Sequence, residues 1–162
     1  MKTLDCFKAY DIRGVIGETV SEEVFYRIGR ATAIVLSTGK LVIGHDARES
    51  SPELSKSFSQ GVLDEGSDVI DIELAGTEEI YFATSYFGAD AGVVVTASHN
   101  PINYNGLKFV GPGSRPLEVR SEFLEIKRVA ESIEQTGNGG KTGKYYRKPS
   151  EAKKAYVSKV LE

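Results

Sequence analysis

The chain has no tryptophan, one cysteine, one methionine and only two histidines. A single cysteine cannot form an internal disulfide, so the core alone must hold the fold, and a reducing cytoplasm is the expected compartment. Cys6 reads as a small apolar residue of a strand rather than a reactive thiol. Two histidines and one cysteine are too few for a zinc cluster. There is no Walker A motif and no G-x-G-x-x-G, so any bound phosphate must be met by side chains, loop amides or a metal rather than by a glycine-rich P-loop. No apolar run approaches the length of a membrane span, and the N-terminus lacks a signal peptide's apolar stretch. The formal charge is −3, with both signs mixed along the chain, which points to no nucleic-acid partner and no membrane surface.

What is present is the composition of an ordinary globular protein, 162 residues long and sufficient for one well-packed domain. Leu4–Ala9 reads as a first strand leading into a turn at Tyr10–Gly14. Thr19-Val-Ser-Glu22 is a capping-box pattern, after which Val24, Ile28, Ala31 and Val35 recur at helical spacing up to Gly39. Leu41–Ile43 is a short apolar strand. Ser50-Ser-Pro-Glu53 opens a second helix with proline in its first turn, Leu54, Phe58 and Val62 on one face, and Gly66 past its end. Asp68–Ile72 is a strand, and Thr77 is placed to cap a helix that Gly88 stops. Ala91–Thr96 is continuous and β-branched, as expected of a strand covered on both faces. Gly106–Val110 follows too soon for a crossover helix, so it should run antiparallel to its neighbour. Val119, Phe123, Ile126 and Ala130 mark another helix. Gly137–Gly143 is a loop by composition, Lys144–Lys148 a short edge strand, and Ser150 a cap for a last helix carrying Tyr156, Val157 and Val160. The alternation predicts a three-layer α/β/α domain with a mixed four-stranded core sheet, its last core strand antiparallel.

Thr96-Ala-Ser-His-Asn-Pro101 directly follows the most buried-looking strand. Ligand sites in open α/β sheets gather at such carboxyl ends, and a loop serine there is presented rather than packed. Ser98 is either a turn serine bonded to local backbone or, once phosphorylated, a phosphoryl donor carrying nearly two negative charges. Thr96, the nearest rival hydroxyl, completes the strand. His99 and Asn100 can bond phosphate or sugar oxygens, although Asn100-Pro101 also favours a turn on backbone grounds alone. Lys108 is either an outward-facing strand lysine or a point charge for a phosphoryl group and an aid to proton transfer. Arg13, beside Tyr10, is either a bidentate phosphate clamp or the partner of Asp11. Asp46 and Arg48 read as an ion pair supporting the site. His45 is assigned no role.

Three segments, Phe7–Gly14, Gly44–Ser50 and Thr96–Val110, resemble in residues, order and spacing the α-D-phosphohexomutases, the phosphoglucomutase and phosphomannomutase superfamily. Ala75–Thr84 is most similar to the bacterial phosphomannomutase branch; His45 departs from what many relatives carry. The resemblance implies that residues 1–145 form domain I of a four-domain enzyme and that 146–162 begin an interdomain helix, the chain being a fragment. It implies Ser98 as the phosphoserine, with Lys108, Arg13 and His99 catalytic. Tyr10, Arg13, His99, Asn100 and Lys108 would contact phosphate or substrate. It also implies a magnesium ion held through the Ser98 phosphate, a hexose 1,6-bisphosphate activator, and a phosphosugar substrate interconverted between 6- and 1-phosphate. The D-x-D-x-D-R metal loop and the sugar-reading and phosphate-binding loops of later domains are not in this sequence, so the isolated chain is expected to lack mutase turnover. Glucose phosphate, glucosamine phosphate and a non-catalytic α/β binding module are the alternatives.

Overall fold

The β-branched runs form the middle of one sheet. A computed structural model of the protein describes residues 3–133 and 140–162. Six strands are present among them: β1 (Ile12–Val15), β2 (Lys40–His45), β3 (Asp68–Leu74), β4 (Ala91–Val95), β5 (Tyr104–Val110) and β6 (Tyr145–Arg147). Their order across the sheet is β1-β5-β4-β2-β3-β6. β4, β2, β3 and β6 are parallel, while β5 is antiparallel to both β4 and β1. The expected core of four strands with the last antiparallel is therefore there, but a further strand extends it on each edge. β4 is buried at every position, as its unbroken apolar sequence requires.

Helices α1 (Glu22–Leu36), α2 (Ser51–Asp64) and α4 (Leu124–Ser132) cover one face, and α3 (Thr77–Tyr86) and α5 (Pro149–Val160) the other. Under the first group Phe25, Ile28, Phe58 and Phe123 meet Leu41, Ile43 and Val93; under the second Ile80, Ala83 and Ala152 meet Val42, Ile70 and Val94. α1 and α2 approach so closely that a Cβ on Gly61 would lie 2.1 Å from the carbonyl oxygen of Tyr26. This is a backbone contact that only glycine permits.

Several local expectations are corrected. Leu4–Ala9 is not a strand; it makes a single bridge, Phe7 to Ile12, and the first strand is built instead from the segment read as a turn. Thr19 does not cap α1. Its hydroxyl accepts the Val15 N–H and closes the turn after β1, and Ser21 caps the helix by accepting the Val24 N–H. Thr77 is the first helical residue of α3 rather than its cap, and Glu79 secures the entry by accepting the Gly76 N–H at 2.9 Å. Ser150 lies inside the first turn of α5, with Lys148 at the N-cap position. In the Gly137–Gly143 loop, residues 137–139 lie outside the described residues.

Candidate active site

The chain leaves β4 and turns sharply. The Thr96 N–H still bonds the Gly106 carbonyl of β5 at 3.0 Å, but the Thr96 hydroxyl turns forward to accept the Ser98 N–H at 3.0 Å. Thr96 therefore shapes the loop as well as ending the strand. Ser98 takes a left-handed backbone, φ 55°. That conformation costs a side-chain-bearing residue about 1–2 kcal/mol and persists only where the surroundings impose it.

Arg48 imposes it. One terminal nitrogen of its guanidinium donates to the carbonyls of Pro101 (2.7 Å) and Tyr104 (3.1 Å), the other to those of Asn100 (2.6 Å) and Ser98 (3.0 Å). Its Nε faces the Asp46 carboxylate at 3.4 Å. All five guanidinium N–H groups are thereby directed at loop carbonyls or Asp46, so Arg48 shapes the loop and has no donor left for a ligand. Asp46 in turn accepts from the Arg48 backbone N–H and from the Ser51 hydroxyl. Ser50 and Ser51 both accept from the side-chain amide of Asn105, whose own oxygen receives the Gly106 N–H. Asn105 is fully buried, and the network ties the start of α2 to the far end of the loop.

Sequence reasoning missed Asn105, Ser51 and the Arg48 latch. The available signal was an Asn between a loop and a strand with no apolar partner; a buried amide must spend its donors and acceptors locally.

Register places the candidate cations. On β1, Arg13 lies opposite Gly106, and on β5, Lys108 lies opposite Val94 of β4. Residues two apart on a strand share a face, so Arg13 and Lys108 are on the same face of the sheet, at its antiparallel edge. Gly106 makes this pairing possible, because a Cβ there would sit 1.8 Å from the Ile12 carbonyl oxygen. Arg13 is paired with Asp11 at 2.8 Å, and its Nε is buried without a partner. The pairing reading of Arg13 therefore holds, and one carboxylate leaves most of its five N–H donors uncommitted to Asp11.

Two openings result. Ser98 and Asn100 line an open depression of about 550 Å³ with Asp46, Arg48 and Ile102. Tyr10 and Lys108 share a smaller cavity, about 240 Å³, with Asp11, Leu117 and Phe123. His99 is exposed at the loop tip and lines neither. His45 points its Nδ1 at the Asp46 carbonyl, 2.9 Å away. Among the described residues no group of three or more His, Cys, Asp or Glu side chains is arranged to hold a metal ion. The described residues do not fit a magnesium site of their own, and a phosphate on Ser98 would supply oxygen ligands only. No helix among the described residues is long and apolar enough to cross a membrane.

A three-layer α/β/α domain with a serine on a tightly held loop at the carboxyl end of a central strand is of the open-sheet class, in which ligand sites gather at such ends. The family described as "Phosphoglucomutase/phosphomannomutase, alpha/beta/alpha domain I" matches residues 5–137, and the chain belongs to that family. It is similar to a phosphomannomutase of Klebsiella pneumoniae, 51% identical over 131 residues, spanning 81% of this chain and 83% of that protein. A phosphomannomutase of Escherichia coli is also 51% identical over 131 residues, but the match spans only 29% of its length. Among solved structures, a phosphoglucomutase/phosphomannomutase family protein from Burkholderia thailandensis superposes with a TM-score of 0.82 at 34% identity, over 99% of this chain and 36% of that one. A putative phosphomannomutase from Thermus thermophilus, 24% identical with a TM-score of 0.84, shares the fold.

Proposed function

We propose that this chain is the phosphoserine domain of a phosphohexomutase that interconverts hexose 6-phosphate and hexose 1-phosphate, with mannose phosphate the first choice of sugar. The observation that carries the reading is the Ser98 loop, curled around the Arg48 guanidinium so that a serine stands in a left-handed conformation at the end of β4. A loop shaped with that many directed bonds, on the sheet edge that also carries Arg13 and Lys108, suits a group that must be held still while charge moves. Family membership and the names of the bacterial relatives support the same chemistry.

In this reading Ser98 carries a phosphoryl group in the resting enzyme. A sugar hydroxyl attacks phosphorus, the bond from phosphorus to Ser98 Oγ breaks, and a hexose 1,6-bisphosphate forms. The hydroxyl's proton leaves with the help of Lys108, and the serine oxygen regains one. The bisphosphate turns over, and its other phosphate returns to Ser98 by the reverse step. Positioning and electrostatics carry most of such a transfer, so the roles are local. Lys108 and Arg13 neutralise phosphoryl oxygens; His99, Asn100 and Tyr10 hold substrate or phosphate. Magnesium, when bound through the phosphoserine, would offset part of the phosphate charge, with its remaining ligands from outside the described residues. Residues 1–145 act as the phosphoserine domain, and residues 146–162, although the rest of β6 and α5 pack on its sheet, begin the connection toward a second one. The longer relatives' further domains complete the site, in the cytoplasm, and this chain alone sustains no mutase turnover.

The test is incubation of the chain with a hexose 1,6-bisphosphate and magnesium, followed by peptide mass spectrometry. The expected result is one phosphate on Ser98, absent from Ser98→Ala, with no sustained conversion of mannose 6-phosphate to 1-phosphate in a coupled assay. Phosphate on another residue, or none on Ser98 in the full-length enzyme, overturns the reading.

A further inference from the structure

Tyr81 lines the cavity of about 240 Å³ that Tyr10 and Lys108 share at the antiparallel edge of the sheet. Helix α3 places it there. Ile80 and Ala83 are buried against Val42, Val94 and Val110, and Tyr81, between them in sequence, is 42% exposed on the flank of the helix. Lys108 is on the same sheet face, two residues from Val110 and opposite Val94. The exit from β5 fastens these two elements to each other. Ser114, in a left-handed backbone (φ 63°), donates its hydroxyl to the Tyr81 carbonyl and meets the Ser85 hydroxyl at 2.7 Å. The backbone that carries Lys108 is thereby fixed against the backbone that carries Tyr81.

The polar and aromatic groups of this cavity are accessible and uncommitted. Among the described residues Tyr10 and Tyr81 have no ring partner and no side-chain hydrogen bond, and the Lys108 ammonium has no ion pair. Nearby surface cations are paired, Lys153 with Glu79 and Arg115 with Glu122. The one acid lining the cavity, Asp11, is bonded to Arg13 at 2.8 Å. The apolar lining is already packed: the Phe109 and Phe123 rings meet at 6.1 Å. Two free rings and a free ammonium therefore open onto one space.

A ligand for that space carries a negative group for the ammonium and, beside it, a body with an apolar face and a polar edge. A tyrosine ring offers a flat apolar face with a hydroxyl at its tip. A pyranose matches it, with C–H bonds on its face and hydroxyls around its edge. The volume falls below the roughly 300–1,000 Å³ of a complete small-ligand pocket, so the cavity takes part of a ligand and leaves the rest outside. The Ser98 loop begins close by. Lys108 lies two residues, about 7 Å, along β5 from Gly106, whose carbonyl accepts the Thr96 N–H.

We propose that Tyr81 is a specificity-determining residue of the phosphosugar site, its ring forming with Tyr10 the wall that takes the sugar ring of a hexose phosphate held at its phosphate by Lys108. The proposal rests on the reading of the chain as a phosphohexomutase domain. The test is an NMR titration of the Ser98→Ala chain, in which no transfer can occur, with mannose 6-phosphate and in parallel with inorganic phosphate. Saturable shifts are expected at Tyr10, Tyr81 and Lys108, with mannose 6-phosphate binding at least roughly tenfold tighter than phosphate. Added to that chain, Tyr81→Ala should weaken mannose 6-phosphate roughly tenfold and leave phosphate unchanged, while Tyr81→Phe, which keeps the ring, stays within about threefold. Tyr81 is exposed, alanine is a good helix former, and the Ser114 bond goes to the backbone carbonyl, so the fold survives the substitution. No shift at Tyr81, equal affinity for phosphate and mannose 6-phosphate, or an equal loss of both ligands in Tyr81→Ala would overturn the proposal. The two failures read differently. Phosphate on Ser98 of the unsubstituted chain without these shifts removes the role of Tyr81 alone, whereas these shifts without phosphate on Ser98 of the full-length enzyme remove the mutase reading.

Discussion

The Ser98 loop and the layer beneath α1 and α2 are held by different forces. Under the helices Phe25, Ile28, Phe58 and Val62 are fully buried, and what holds them is area removed from water, which has no direction. In the loop the only fully buried apolar side chain between Thr96 and Tyr104 is Ala97, and the shape comes from directed bonds to Arg48, Thr96 and Asn105. Packing supplies stability without fixing any one atom to better than its neighbours allow. Hydrogen bonds to carbonyls fix the path of the chain while contributing less free energy. The domain thus keeps its stability and its candidate chemistry in separate places, and substitutions should separate them too.

The largest effect is expected from Phe58→Ala. Loss of this ring from the buried layer should cost about 3–5 kcal/mol in urea denaturation, while the folded fraction still takes phosphate on Ser98 at an ordinary rate. Loss of phosphate uptake by well-folded Phe58→Ala would break the comparison by showing that core and loop are one unit. Arg48→Lys should do the reverse. Lysine keeps the charge but has three donors in place of the five-donor fork that reaches four carbonyls. The expected cost is about 1–3 kcal/mol, with phosphate uptake on Ser98 reduced by more than roughly tenfold. A lysine variant with unchanged uptake would remove Arg48 from the account of the site.

The smallest effect concerns pH and belongs to the packed layer alone. Burial pushes the Cys6 thiol up from 9.0 to about 11. Between those values the unfolded chain has lost the proton and the folded chain has kept it, so stability falls as pH rises through that window and is level below it. The loss should be about 2 kcal/mol by pH 11, read from urea midpoints, and Cys6→Ala should flatten that part of the profile. An equal fall in the alanine variant would assign the alkaline loss to other groups.

The sheet's middle was legible because its signals are local. A continuous β-branched run at 91–95, a short link to 106–110 and helical spacing in 24–35 each point to one arrangement, and all three stand. The edges were not legible. β1 falls in Ile12–Val15, which reads as a turn, because what makes it a strand is the partner row of β5 reaching it through Gly106. The starts of α1, α3 and α5 were misplaced by one or two residues for a similar reason: Thr19 found a partner in Val15 rather than in its own helix, and Glu79 rather than Thr77 secures the entry to α3.

The same division applies to the candidate site. Thr96–Pro101 and Lys108 stand out in the sequence because unusual residue types are crowded beside a buried strand. By itself the sequence determined the α/β class, the identity of the loop and the residues able to carry charge or a phosphoryl group, since these depend on local pattern and side-chain chemistry. Only the tertiary structure decided that Arg48, fifty residues earlier, gives its terminal donors to the loop, and that Asn105 ties the loop to α2. It also decided that Arg13 and Lys108 share a face. Such facts depend on which distant segments meet, and a hydrogen bond's partner is set by three-dimensional distance rather than by position along the chain.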